Sequence, residues 1–165
     1  MTARALRVEI VKAVRAPLAP AFLRAVLRAA MEEPAVADAA APAGAEAALT
    51  LRVTGDRELR RLNREFLGED HATDVLSFPS GDVATPVQPG QIRYLGDMAL
   101  SWPAVVRQSS AFDHSADVEA ALLAVHGLLH LLGWDHATPA EERAMTALTL
   151  ACLARSDVKP AANRL

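Results

Sequence analysis

Apolar and polar residues alternate over Leu6–Val11, where Arg7 and Glu9 separate Leu6, Val8 and Ile10, and again at Leu49, Leu51 and Val53. A period of two buries one face of an extended chain, so both stretches are predicted as half-buried strands that pair with each other. Thr73–Phe78 (TDVLSF) is rich in β-branched and aromatic residues and stops at Pro79, which predicts a third strand. Gly96–Ser101 (GDMALS), with Met98 and Leu100 alternating, predicts a fourth. Elsewhere the period lengthens. After Pro17 and Pro20, the residues Phe22, Leu23, Val26, Leu27 and Ala30 recur at helical spacing as far as about Pro34. Asp56–Phe66 places Leu59, Leu62 and Phe66 on one side of a helix, with Thr54 as its expected N-cap. Pro103–Phe112 and the apolar Asp117–Leu132 predict two more, the latter stopped by Gly133 in a left-handed conformation. Thr138-Pro139-Ala140-Glu141 is a capping box with proline at N1, which starts a last helix running to about Arg155.

Three stretches show neither period. Residues 34–48 are almost wholly Ala, Pro, Gly and acidic residues and are expected to form a flexible surface connection. Ser80–Gln91, with two prolines and two glycines, predicts a loop, and residues 156–165 a loose tail. Strands and helices do not alternate strictly and no repeat is visible. The expected fold is a single α+β domain over residues 1–155, a small mixed four-stranded sheet packed with about five helices.

Composition changes this picture in two ways. The chain has 165 residues, 52% hydrophobic and 22% charged. A chain of that size buries roughly 70% of its unfolded surface without help, so a metal site in it would serve function rather than folding. The net charge of −3 excludes a basic field over the whole protein, and any nucleic-acid contact must come from a local patch. The lone Cys152 has no internal partner, which fits a reducing compartment. Arg4, Arg7, Glu9, Lys12 and Arg15 interrupt the first residues, so no signal-peptide core is expected, and no apolar run of about 18 residues suggests a membrane span. The expected location is the cytoplasm, with no membrane partner.

The candidate chemistry is concentrated in His126-Gly-Leu-Leu-His130-Leu-Leu-Gly133-Trp-Asp-His136. Helical residues at i and i+4 share one face about 6 Å apart, so two imidazoles can meet one ion. Position i+10 lies about 15 Å further along a straight helix, so a third ligand requires the chain to turn back, and Gly133 supplies the break. Single histidines on an apolar helix are mostly core residues; three at this spacing, with a glycine break, point instead to a metal. Neutral imidazole suits zinc, and three protein ligands leave the fourth tetrahedral position for water. Leu128, Leu129, Leu131 and Leu132 are core packing and a dry wall for such an ion.

The spacing overlaps with the metzincin protease pattern H-E-x-x-H-x-x-G-x-x-H, but residue 127 is glycine, so the glutamate that serves those proteases as general base is missing. A phosphodiester needs cations at its charged oxygens, and Arg57, Arg60, Arg61 and Arg64 fall at i, i+3, i+4 and i+7 of the predicted helix. That stripe is either an RNA-contacting surface or a solvated face. Asp97, beside Gly96, is a candidate to orient a ligand imidazole, or else a strand-end aspartate. Asp135 is expected to cap the turn before His136. Asp74 and Ser77 are expected near the site, and His71 and His114 on the surface.

HGLLHLLGWDH (126–136) resembles the signature of the YbeY family of metal-dependent endoribonucleases. Leu62-Asn63-Arg64-Glu65-Phe66 followed by TDVLSFP (73–79), and LGDMALS (95–101), resemble two further blocks of the family, so the likeness spans about Leu49 to Leu153. The resemblance implies a bacterial rRNA-processing factor that acts on single-stranded RNA. It implies a role in maturing the 3′ end of 16S rRNA and in quality control of the ribosome, with the small subunit as partner. It also implies that His126, His130 and His136 hold one zinc ion. Many members have an arginine directly after the aromatic residue of the first block, thought to contribute to catalysis; here that position is Leu67, and Arg64, one turn earlier, is the candidate replacement. Trp134 stands where the signature more often has tyrosine. The catalytic candidates are therefore Arg64 and Asp97, and the RNA-binding candidates Arg57, Arg60 and Arg61. Two alternatives stand beside this reading: a zinc-dependent peptidase or amidase, and a non-catalytic ribosome-binding module with a structural metal.

Overall fold

The computed structural model describes residues 5–81 and 85–165. Strands β1 (Leu6–Lys12), β2 (Glu46–Thr54), β3 (Val75–Pro79) and β4 (Ile92–Ser101) form one sheet in the order β1-β2-β4-β3. β1 pairs with β2 and β2 with β4 in parallel, whereas β3 and β4 are antiparallel. The sheet is therefore mixed, as expected, and β3 is an edge strand. The six helices among the described residues are α1 (Pro20–Ala30), α2 (Pro34–Ala40), α3 (Asp56–Leu67), α4 (Trp102–Phe112), α5 (Ala116–Leu131) and α6 (Pro139–Ala154).

The core lies between the sheet and α5, whose residues from Glu119 to Val125 are all buried. Ala47, Leu49, Leu51 and Val53 of β2 point into this layer and are at most 1% exposed, while Arg52 between them faces out. α3 covers the opposite face at the β3–β4 end, where Leu59 packs with Leu76 and Ala99. Two layers of helices thus sandwich the half of the sheet that carries β3.

Several expectations need correction. Residues 34–48 are not a flexible connection: they form α2 and the start of β2, with Val36, Ala40 and Ala41 fully buried. Alanine-rich sequence shows no period because alanine counts as neither clearly in nor out, yet it is a strong helix former that packs closely. This helix is the one beyond the five expected. Thr54 is the last residue of β2 and does not cap α3; Gly55 stands at the N-cap. Phe66, expected on the buried side of α3, is 64% exposed. The tail is tied down: Val158 is buried, and Arg164 bonds to Glu119. Of the expected loop at Ser80–Gln91, residues 82–84 lie outside the described residues, and the remainder has no helix or strand. Among the described residues, no helix is long and apolar enough to cross a membrane. Cys152 is buried, and burial pushes its thiol up to about 12, so it is inert as a nucleophile at neutral pH.

Candidate metal centre

α5 ends as the sequence pattern dictates. Gly133 has φ +104°, its N–H donates to the carbonyl of His130 at 3.1 Å, and the N–H of Trp134 donates to that of Leu129 at 3.0 Å. These two bonds form a Schellman closure, which turns the chain back through a conformation only glycine takes without strain. Asp135 then accepts the N–H of His136 at 2.8 Å, the capping role expected of it. Thr138 caps α6 by accepting from the N–H of Glu141, whose carboxylate accepts from the N–H of Ala137.

The turn brings three imidazoles together. Ring centroids are 4.6 Å apart for His126 and His130, 5.5 Å for His126 and His136, and 5.0 Å for His130 and His136. One nitrogen from each lies within 4.8 Å of the others. His130 Nδ1 is 3.0 Å from the carbonyl oxygen of Trp134, which only accepts, so the hydrogen sits on Nδ1 and Nε2 carries its lone pair. That lone pair faces His126 Nε2 at 3.0 Å. Without an ion, His126 in its Nε2–H tautomer donates to that lone pair; with its hydrogen on Nδ1 instead, both Nε2 lone pairs are free to bind a cation between them. The charged, doubly protonated ring is disfavoured: burial, followed by the charges that would build up on His130 and His136, pulls His126 down to about 4. Burial is also the main cause of the lowering at His130. Neutral imidazoles whose lone pairs converge are the donor set that zinc takes, with nitrogens roughly 3.4 Å apart around a tetrahedral ion. The residues present fit the metal.

The centre opens on a cavity of about 400 Å³ whose other walls include Leu67, Asp74, Val75 and Ser77. β3 can approach α5 this closely because residue 127 has no side chain. A Cβ there would lie 2.9 Å from Met98 Cε, 3.2 Å from Ser77 Oγ and 3.3 Å from Val75 Cγ2. Ser77 Oγ uses the gap to donate to the Gly127 carbonyl at 2.8 Å. A glutamate at this position would have no room, so the missing protease base is excluded by packing as well as by sequence.

The remaining candidates are placed unequally. Asp97 is not brought to the centre. Its neighbour Met98 points toward Gly127, so Asp97 points to the other face of β4, where it is exposed and accepts from the Tyr94 hydroxyl at 2.7 Å. Alternation along the strand decides this, and the expectation that Asp97 orients a ligand is withdrawn. Arg57, Arg60, Arg61 and Arg64 are all exposed on α3. Arg60 pairs with Asp70 at 2.9 Å, and Arg61 with Glu58 at 2.5 Å and Glu65 at 2.8 Å. Arg64 lies one turn before Leu67, the wall residue, and shares its side of the helix. Of the two histidines expected on the surface, His71 is exposed, but the side chain of His114 is only 7% exposed.

His114 belongs to a buried cluster that sequence reasoning missed. Glu119, fully buried, accepts from His114 Nε2 at 2.7 Å and from Arg164 Nη2 at 2.8 Å. Arg164 also donates to Gln108 at 3.2 Å, and Gln108 donates to Asp74 Oδ2 at 3.2 Å, so the chain's last residues are linked to the cavity wall. The available signal was Glu119 itself, a lone carboxylate leading into the uncharged run AALLAV.

Fold and centre together define an α+β protein with a three-imidazole site, open on one side, that could hold a metal ion. Comparison with known proteins gives the family. Residues 15–157 match the family model described as Endoribonuclease YbeY. The endoribonuclease YbeY of Gloeobacter violaceus is 52% identical over 98 residues, which cover 59% of this chain and 50% of that protein. That of Chloroflexus aggregans is 48% identical over 109 residues, 64% of this chain and 70% of its own length. That of Thermus thermophilus is 45% identical over 131 residues, 78% and 86% respectively. The aligned part of the chain thus spans half the length of the first relative and most of the last. The solution structure of TM1509 from Thermotoga maritima superimposes with a TM-score of 0.55 at 18% identity over 92% of this chain and 91% of that one, a likeness of fold. The chain belongs to the YbeY endoribonuclease family.

Proposed function

We propose that this protein is a zinc-dependent endoribonuclease that cuts single-stranded RNA and acts with the small ribosomal subunit, in the cytoplasm, in maturing the 3′ end of 16S rRNA and in quality control of the ribosome. The observation that carries the reading is the convergence of three imidazole nitrogens on one point of an open cavity, in a chain of this family. His126, His130 and His136 would hold the ion, with His130 kept in the ligating tautomer by the Trp134 carbonyl. A zinc ion so held supplies Lewis acidity toward a phosphate oxygen and toward water. The chain's own groups do the rest. Arg64, on the cavity side of α3 and with no ion pair among the described residues, grips a phosphate oxygen beside the centre, in place of the arginine that Leu67 lacks. Arg57, Arg60 and Arg61 extend the contact along the backbone; two of them must exchange carboxylate partners for phosphate. Single strands suit the cavity because their backbone bends to reach it. The peptidase alternative loses ground, since the cavity wall bears no glutamate near Gly127 and no room for one.

Elemental analysis of the purified protein, with cleavage assays on single-stranded RNA, duplex RNA and casein with and without chelator, tests the reading. The expected result is about one zinc per chain and chelator-sensitive cutting of single-stranded RNA alone, lost in His130→Ala. Cutting of casein, or RNA cutting that survives the chelator, would overturn it. Arg64→Ala should lower RNA cleavage by about tenfold, as loss of one charged hydrogen bond does; unchanged cleavage removes Arg64 from the mechanism.

A further inference from the structure

Asp74 is the only carboxylate among the residues that line the cavity of the three histidines. A negative charge there repels the phosphate groups that the proposed reaction brings in, so its presence calls for a use. Nor is it loosely placed. Its carbonyl accepts the N–H of Ser101 at 2.8 Å, its Oδ1 accepts the N–H of Val75 at 2.8 Å, and its Oδ2 accepts from Gln108 Nε2 at 3.2 Å. Gln108 is held in turn. Its Oε1 accepts from Arg164 Nη2 at 3.2 Å, and Arg164 is anchored on the fully buried Glu119 by bonds of 2.9 and 2.8 Å and by its stack on Phe112. A guanidinium only donates, so it fixes which way the Gln108 amide faces and leaves the amide hydrogens for Asp74.

Glu119, His126 and His130 lie at i, i+7 and i+11 of α5, one stripe of the helix, with Glu119 about 10 Å from His126 along the axis. The links from Arg164 through Gln108 to Asp74 therefore run beside this stripe, from the buried carboxylate to the metal centre. Burial lowers the pKa of His126 and the charge of Asp74 opposes it, which puts the carboxylate within electrostatic reach of that ring. A carboxylate has about four lone-pair sites, and the two donors take one on each oxygen, so acceptor capacity is left for the cavity. In a phosphate site such an acceptor attracts only a hydrogen donor, and hydrolysis supplies one in the attacking water. Resting on the proposed endoribonuclease reading, we infer that Asp74 is a catalytic residue that aims this water by accepting its hydrogen bond, and that Gln108 is the positioning residue that acts through it. In the step, the water oxygen bonds to phosphorus, the bond from phosphorus to the departing ester oxygen breaks, and the proton the water loses ends on that oxygen. Asp74 keeps no proton. It fills, from the segment before β3, the place in which Gly127 leaves α5 without a carboxylate.

The test uses the full zinc-loaded chain, a single-stranded RNA oligonucleotide for turnover, and a nuclease-resistant 2′-O-methyl phosphorothioate strand of the same sequence for binding. Asp74→Ala should keep one zinc per chain and lose about 100-fold in kcat, the effect of a misdirected nucleophile. It should nevertheless bind the resistant strand about threefold more tightly, because one like charge is gone, and the gain should fade as salt is raised. A residue that only supported the fold would lose binding and turnover together. Gln108→Leu, which keeps the charge on Asp74, should lower kcat about tenfold with KM and strand binding unchanged. An Asp74→Ala protein that cuts as fast as the wild type, or loses strand binding along with turnover, would overturn the aiming role, while wild-type cleavage leaves the endoribonuclease reading standing. Loss of zinc from that variant would make Asp74 part of the metal centre and overturn the role likewise. A wild type that neither binds nor cuts RNA would bring down both.

Discussion

The two ends of α5 each gather ionisable side chains, with opposite results. Near the N-terminus, Glu119 is fully buried, and every charge in its cluster has a protein partner: the carboxylate accepts from His114 and Arg164, and His114 Nδ1 accepts the N–H of Ala161 at 3.0 Å. Arg164 stacks 4.6 Å over Phe112 as well. At the C-terminus, three imidazoles point their nitrogens at one another, and the fixed hydrogen on His130 is turned away to the Trp134 carbonyl. Polar groups that satisfy one another make structure. Three ring nitrogens gathered on one point at an open cavity, where a change of tautomer frees their lone pairs, are prepared for something from outside.

The sharpest test of this contrast is to remove one member from each end. His130→Ala should lower zinc affinity by at least about 100-fold, more than loss of an outer-shell partner does, and abolish RNA cleavage, while circular dichroism and thermal unfolding stay near wild type. Unfolding of that variant would mean the centre is structural. Glu119→Ala should do the reverse. It leaves Arg164 and His114 buried without their carboxylate, costing about 3–5 kcal/mol, which lowers Tm by roughly 10 °C in a chain of this size, with zinc binding intact. Loss of zinc from the folded Glu119 variant would break the separation.

Acid divides the ends further. His126 is held unprotonated in the fold to about pH 4, against an ordinary value of 6.5, mainly by burial. The unfolded chain takes up that proton first, so the metal-free protein should lose stability as pH falls from about 6.5 toward 4. For Glu119, burial works against ionisation, but the bonds from Arg164 and His114 prevail and keep its pKa below the ordinary 4.5. Its stabilisation is complete above that value and is lost only on further acidification. Denaturant midpoints measured against pH should lose the upper limb in His126→Ala and the lower limb in Glu119→Ala. The smallest effect is expected at the cavity wall, where Leu67→Arg should raise kcat/KM on single-stranded RNA by up to about tenfold by adding a phosphate contact. A decrease would mean that Arg64 already fills that role and the two guanidiniums repel.

How much of this was legible beforehand follows from what each pattern can encode. Periodicity, strand-forming composition bounded by proline, and capping signals together marked four strands and five of the six helices among the described residues, because buried faces and chain ends write themselves into local sequence. Gly133, Asp135 and Thr138 announced their turns through backbone chemistry that needs no distant partner. α2 escaped because alanine and proline carry no period, and its burial depends on what covers it. Facing direction was misjudged wherever a second element decides it. Asp97 sits beside a buried residue yet points away from the histidines, Phe66 lies at helical spacing from Leu59 yet meets only the edge of β3, and His114 is buried by a tail dozens of residues later. Sequence alone determined which three histidines can share a metal, since i and i+4 on one helix followed by a glycine turn is a local geometry. Only the tertiary structure decided what stands around them: the edge strand let in by Gly127, the wall at Leu67 and Asp74, and the network reaching back to Arg164. Those are contacts between residues far apart in the chain, and burial, unlike turn chemistry, is a property of the whole fold.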